Sequence, residues 1–375
     1  MKSGVLLTLI VAASLRAQQH QIASFFPYLD LTTGISPSSL VASDFNGDGK
    51  PDLAVTDEAS GTVSVLLSVG NGFFLPPVTY AVGLSPRGVA VGDFNRDGNP
   101  DLVVANFRSN TISVLLGNGD GTFQPATNID SLSPTFITVG DFNRDGKLDL
   151  AIANASSNSV SILLGIGNGA FAPTFNFAVG LRPVSIAAGD FNGDGKTDLA
   201  VANANANTVS ILLGNGDGSF QSALTVAAGA NPASVVAADF NRDGKLDLAV
   251  VNASPVPPGT VSVLLGLGNG FFQPPLAFPV ETNPSFLLVR DFNLDGILDL
   301  AVASAASGSI SVLMGLGDGL FATPLTFDAG ATPVWMVATN VNGNGKPDLL
   351  VANSSSGTVS VLLNNTPMPF QDIIN

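Results

Sequence analysis

Asp44-Phe45-Asn46-Gly47-Asp48-Gly49-Lys50-Pro51-Asp52-Leu53 is the stretch on which the fold turns, because it recurs. Copies begin at Asp93, Asp141, Asp190, Asp239 and Asp291, and a decayed one at Asn340, at successive offsets of 49, 48, 49, 49, 52 and 49 residues. A proline stands seven positions before every copy, at Pro37, Pro86, Pro134, Pro183, Pro232, Pro284 and Pro333. Self-similarity at such a period marks an array of supersecondary units and overrides length as a guide to domain number.

Within one unit, Gly88 to Phe94 is a short run with small residues that suits a crowded inner strand, and Asp101 to Ala105 forms a second. Thr111 to Leu116 alternates Ile and Val with polar partners, the period of a third strand. The turn Gly117 to Gly121 follows, and a fourth strand is expected near Phe123 to Ile129. Seven four-stranded units predict an all-β, seven-bladed β-propeller. The last unit stops at Leu363 without its fourth strand, whereas Phe25-Phe26-Pro27-Tyr28 through Pro37 resembles Phe73 through Pro86. The N-terminal stretch is therefore expected to complete the last blade and close the ring, leaving no open edge. The rival is an outer-membrane barrel, but one Trp and two Tyr cannot build its aromatic girdles.

The chain accordingly divides into an export signal over residues 1–17, the propeller over 18–365 with units starting near 37, 86, 134, 183, 232, 284 and 333, and a tail over 366–375. Lys2, the apolar run Val5 to Ala13 and small residues up to Ala17 make the signal. That run falls short of the ~20 apolar residues a membrane span needs, so the protein is expected to be secreted or held at the cell surface.

The repeated stretch carries chemistry. Hard cations such as calcium take six to eight oxygen ligands, and alternating Asp and Asn in a tight loop can turn several oxygens towards one point. The first, third, fifth and ninth residues offer side-chain oxygens and the seventh its backbone carbonyl; the glycine at the sixth place permits the bend. The candidate calcium ligands are thus Asp44, Asn46, Asp48, Lys50 and Asp52; Asp93, Asn95, Asp97, Asn99 and Asp101; Asp141, Asn143, Asp145, Lys147 and Asp149. They continue as Asp190, Asn192, Asp194, Lys196 and Asp198; Asp239, Asn241, Asp243, Lys245 and Asp247; and Asp291, Asn293, Asp295, Ile297 and Asp299. The seventh copy, Asn340, Asn342, Asn344 and Asp348, keeps the oxygens with a single charge and is a weak site. An EF-hand would place Glu at the twelfth position, where Val55 stands, and would be flanked by helices. Three carboxylates in nine residues repel one another unless a cation or protons intervene. Mere Asx turns leave that charge unexplained.

Composition narrows the rest. The formal charge is −15, becoming −17 without Lys2 and Arg16, and six calcium ions would bring it to −5. Eight of the fourteen basic residues, Lys50, Arg96, Arg144, Lys147, Lys196, Arg242, Lys245 and Lys346, lie inside the acidic loops, so nucleic acid is not an expected partner. With no cysteine, and with His20 as the sole histidine, triads and thiol nucleophiles are excluded. No catalytic constellation is visible, and a monomer is expected. A ligand site should lie where the units differ, on the face opposite the loops: Arg87, Phe107, Arg108, Phe136, Arg182, Phe286 and Trp335 are the candidates. Phe136, Phe286 and Trp335 occupy one equivalent place, so channel plugging is the competing role for them.

These loops resemble those of FG-GAP-type, VCBS-like repeat proteins, related to the calcium-bearing propeller of integrin α subunits. The resemblance covers nearly the whole mature chain. It implies an extracellular scaffold that binds a glycan or a protein. Some relatives append or embed enzymes, so a polysaccharide lyase or hydrolase working in the channel, and a purely structural envelope protein, stay open.

Overall fold

The computed structural model describes residues 22–26, 29–173, 175–254 and 257–367. The expected signal over 1–17, His20, Pro27, Tyr28, Pro255, Val256 and most of the expected tail lie outside the described residues.

Seven four-stranded antiparallel sheets are arranged as the blades of a β-propeller. Blade 2 shows the plan. Its innermost strand is Pro86–Gly92, followed by Asp101–Asn106, Thr111–Leu115 and the outermost Thr127–Asp130. The second strand is buried along its whole length, and the third nearly so, because each is sandwiched between neighbouring blades. The outermost strand is largely exposed at the rim. A single closed barrel sheet is excluded by this division into separate blades.

The ring closes as the sequence implied. Leu29–Thr32 pairs antiparallel with Thr358–Leu362, Leu29 opposite Val361 and Thr32 opposite Thr358, and so becomes the outermost strand of blade 7. The innermost strands then pack in a circle, with Pro333–Thr339 against Pro37–Ser43. Strand boundaries shift from expectation by up to four residues, and two of the shifts have a visible cause. The innermost strand ends at Gly92, not Phe94, because the buried Asp101 carboxylate draws the Phe94 N–H out of line (2.9 Å). The outermost strand begins at Thr127, since Phe123 makes only an isolated bridge to Gly117.

Hydrophobic burial is concentrated between blades. One slab joins Phe94, Val103, Ala105, Ile112 and Val114 of blade 2 to Ile137, Leu150, Ile152 and Leu163 of blade 3. The loop phenylalanine therefore points into the seam between blades. Phe45, Phe94, Phe142, Phe191 and Phe240 each meet a phenylalanine of the following blade, Phe123, Phe171, Phe220, Phe272 and Phe321, with centroids 5.3–6.0 Å apart. Phe292 finds its partner in Phe25, from the other end of the chain, at 6.0 Å. Edge-to-face pairs of this kind add to area burial.

The glycine-rich turns after each third strand cross to the previous blade. Gly121 N–H donates to the Phe45 carbonyl (2.9 Å), and Gly169, Gly218, Gly270 and Gly319 repeat the bond onto Phe94, Phe142, Phe191 and Phe240. Blade 1 closes onto blade 7 through Gly72 and Val341 (3.0 Å). In blade 7 the Asn364 side-chain amide makes the corresponding bond, donating to the Phe292 carbonyl (2.9 Å).

Candidate functional site

Each acidic loop joins an innermost strand to a second strand, so the loops share one face. In the first, Asp44 accepts the amides of Asp48 (Oδ1, 3.1 Å) and Gly49 (Oδ2, 2.8 Å). Asn46 Oδ1 also accepts from Asp48 N (3.0 Å), and Asp48 Oδ1 from Lys50 N (3.0 Å). The ninth residue is buried and staples the loop to its blade: Asp52 Oδ2 accepts from Phe45 N (2.9 Å) and Oδ1 from Ser68 N (2.7 Å). Asp101, Asp149, Asp198, Asp247 and Asp299 make the corresponding pairs.

The two classes of carboxylate are tuned in opposite directions. Hydrogen bonds from the Lys50 side chain and amide hold Asp48 below the usual range, as Lys147 holds Asp145. Burial raises the ninth-place acids Asp52, Asp101, Asp149, Asp198 and Asp247, despite their amide donors. Asp299, whose loop lies beneath Phe25 and Asn364, is pushed up to about 8 by the same desolvation.

The decayed loop keeps the turn but not the bond by which the sixth-place glycine N–H reaches the first-place side chain in the other six. Asn344 N–H donates to Asn340 Oδ1 (3.1 Å) and Asn342 Oδ1 (3.0 Å), Lys346 N–H to Asn344 Oδ1 (2.9 Å), and Asp348 accepts from Val341 N and Asn364 N. Amide oxygens thus suffice to wind the turn, while the first-place carboxylates of the other six also hold the sixth-place amide with their second oxygen. Among the described residues, acidic and histidine side chains alone do not gather into a cluster of three at one metal position. Asn oxygens and the seventh-place carbonyl would have to complete the set. The set is oxygen throughout, the chemistry that suits a hard cation.

The opposite face carries a chamber of about 560 Å³ on the propeller axis. Its wall is built by a device present in every blade. The innermost strand bulges just after its proline, as between Pro86 and Gly88, leaving one residue unpaired. The bulge residues, Ser38, Arg87, Thr135, Val184, Ala233, Ser285 and Val334, all line the chamber. Of the seven candidate ligand residues, Arg87, Phe107, Phe136, Arg182, Phe286 and Trp335 line it as well, and Arg108 does not.

Phe286 stacks on Trp335 at 4.2 Å and 24°, and Phe136 leans on Trp335 at 5.5 Å. A second cavity of about 520 Å³, walled by Leu40, Val91, Val236, Leu288 and Met336, also touches Phe286 and Trp335. The aromatic trio thus partitions the channel, and its rings are spent largely on one another. Blades 4 and 5 place Ser185 and Ser234 at the equivalent position, which is where the chamber gains room. Gly88 has the same place in blade 2; a Cβ there would lie 3.3 Å from Phe136 Cα. Glu58, the only acid in the lining, is held by Arg87 Nε (2.9 Å) and Ser85 Oγ (2.6 Å), while the Arg87 guanidinium covers the Phe107 ring at 3.9 Å. Sequence reading missed Glu58 and the bulge residues of the other blades; their variability beside a constant proline was the available signal.

A family model described as FG-GAP-like repeat matches residues 44–104, 93–152, 141–201, 190–250 and 291–351. No curated protein matches the chain. Among solved structures, a lectin from Burkholderia pseudomallei is 14% identical, with a TM-score of 0.67 over 89% of this chain and 97% of that one. An Agrocybe aegerita lectin that recognises non-reducing terminal N-acetylglucosamine is 20% identical, with a TM-score of 0.54 over 78% and 80%. A putative 6-phosphogluconolactonase from Bacteroides fragilis is also 20% identical, with a TM-score of 0.62 over 80% and 86%. At these identities the likeness is one of fold alone.

Proposed function

The chain belongs to the FG-GAP-like repeat family, and from that premise we propose that it is an exported, calcium-stabilised β-propeller that binds a glycan in the axial chamber opposite its acidic loops. The observation that carries the ligand site is a division within the repeat. Positions that build a blade recur, whereas the bulge residues and their neighbours, which face the chamber, differ from blade to blade. The two lectins of like fold support this reading, and the sequence of residues 1–17 supports export.

Calcium rests on the contrast between the loops. The seventh winds without first- and fifth-place carboxylates, so winding the turn does not by itself account for the charge gathered in the other six. When bound, a divalent ion would offset the first- and fifth-place carboxylates of a loop and favour the charged form of the buried ninth residue. Asp44, Asn46, Asp48, the Lys50 carbonyl and Asp52, with their equivalents, would hold it. Binding is favoured over cleavage in the chamber, because hydrolysis of a glycoside calls for two carboxylates and Glu58 is the only one in the lining.

Filling the chamber tests the assignment. Ser234→Phe places in blade 5 the residue that blades 3 and 6 carry at that position, so the ring should tolerate it. On a glycan array in calcium buffer, the wild-type chain is expected to retain at least one glycan and the variant to lose it with an unchanged melting temperature. Retention of the same glycan by the filled chamber would refute the site.

A further inference from the structure

We propose that the ligand of the chamber carries a carboxylate, as in a uronic-acid oligosaccharide, and that Arg182 anchors it; the inference rests on the chamber being a glycan site. The residue before each repeat proline has a left-handed backbone, with φ of 52° to 63°. Six blades place Ser, Asn or Thr there, short polar residues suited to a turn. Only blade 4 carries a long side chain, Arg182 (φ 56°). The acidic loops also hold long residues in this region, Arg96, Arg144, Arg242 and Leu294, so what sets Arg182 apart is not strain but that the other six blades place a short polar residue at its position.

The turn itself makes no use of the guanidinium. The Arg182 backbone N–H donates to Asn158 Oδ1 (2.8 Å), as Asn231 N–H does to Asn207 Oδ1 (2.7 Å) one blade on. The Arg182 side chain is exposed and has no ion pair or hydrogen bond among the described residues. It lines the chamber and also a groove of about 280 Å³ running out over blades 4 to 6, with Val184, Ala233 and Ser285 common to both spaces. An elongated ligand occupying both spaces would meet Arg182, which lines each.

Charge points the same way. Outside the acidic loops the described residues hold four arginines, and Arg87, Arg108 and Arg182 belong to the chamber face. In the lining, Arg87 and Glu58 offset each other, so Arg182 leaves a net positive charge in a chain of formal charge −15. A planar guanidinium with free donors matches a carboxylate through two parallel hydrogen bonds. A neutral sugar would make no use of that charge.

Short oligogalacturonides and the same oligomers after carboxyl reduction, titrated in one calcium buffer, separate the possibilities. Wild type is expected to bind the acidic oligomers about tenfold tighter, the scale of one charge-assisted pair. Arg182→Ser, which restores the residue of blades 1, 2 and 3, is expected to erase the preference while leaving the melting temperature in place. Equal affinity for both oligomers, or a preference that survives Arg182→Ser, overturns the carboxylate anchor and leaves the glycan site standing. Failure of every glycan, acidic or neutral, to bind overturns both.

Discussion

Asp57 shows what one atom of difference does inside the repeat. It ends the second strand of blade 1, where five other blades carry Asn and blade 6 carries Ser304. In blade 2, Asn106 Nδ2 donates to Ser113 Oγ (2.8 Å); Asp57 instead accepts from Ser64 Oγ (2.6 Å) and Gly34 N (2.9 Å). Its partners are neutral, and burial raises its carboxyl above the ordinary range. A folded-state value above the unfolded one means that its contribution is fully present below about pH 3.8, declines as pH rises through the raised value, and stays lost beyond it. Asp57→Asn is expected to stabilise the protein at neutral pH by about 1 kcal/mol, the scale of one compensated hydrogen bond, with less gain in acid. Urea midpoints of the two proteins at both pH values check this. The loop residues were legible in the sequence because alternating oxygens at fixed spacing have few purposes. Asp57 was not, since its meaning lies in a partner from the preceding linker, Gly34, that no local pattern reveals.

At the scale of elements, the segment around Phe25 takes in blade 7 the place that Phe123 and its equivalents hold in the other blades. Phe25 is 9% exposed, packs edge-to-face on Phe292 and Phe327, and Phe26 N–H donates to the Leu363 carbonyl (2.9 Å). Phe25→Ala is expected to cost about 3 kcal/mol, by loss of buried area and the cavity left behind. Phe26→Ala, at 54% exposure, should cost little. Equal effects in chemical denaturation would show that the segment does not lock the ring. Ring closure was legible from the similarity of Phe25-Phe26 to Phe73-Phe74, but in a register one residue out: Phe25 stands where Phe74 does, since Phe26 N–H bonds the Leu363 carbonyl as Leu75 N–H bonds that of Leu67. The cross-blade role of the turns was not, because Gly117 to Gly121 reads locally as a hairpin, and the bond from Gly121 to Phe45 spans a whole unit. The bulges were equally hidden: spacing places the proline but does not say which following residue goes unpaired.

For the molecule as a whole, the propeller is polarised. Six loops put eighteen aspartates on one face, and the turns add Asp120, Asp217 and Asp318 beside them. The chamber face holds three of the four arginines that the described residues carry outside the loops. Like charges packed on one face of a compact body oppose folding, and ions that bind only the folded ring offset this by linkage. The most direct measurement is the calcium bound per chain, counted by equilibrium dialysis and elemental analysis at millimolar free ion, a range that suits extracellular calcium modules. About six ions per chain are expected, one for each fully charged loop, with little contribution from Asn340 to Asp348. A chain that takes up no calcium under those conditions would contradict the assignment of the loops.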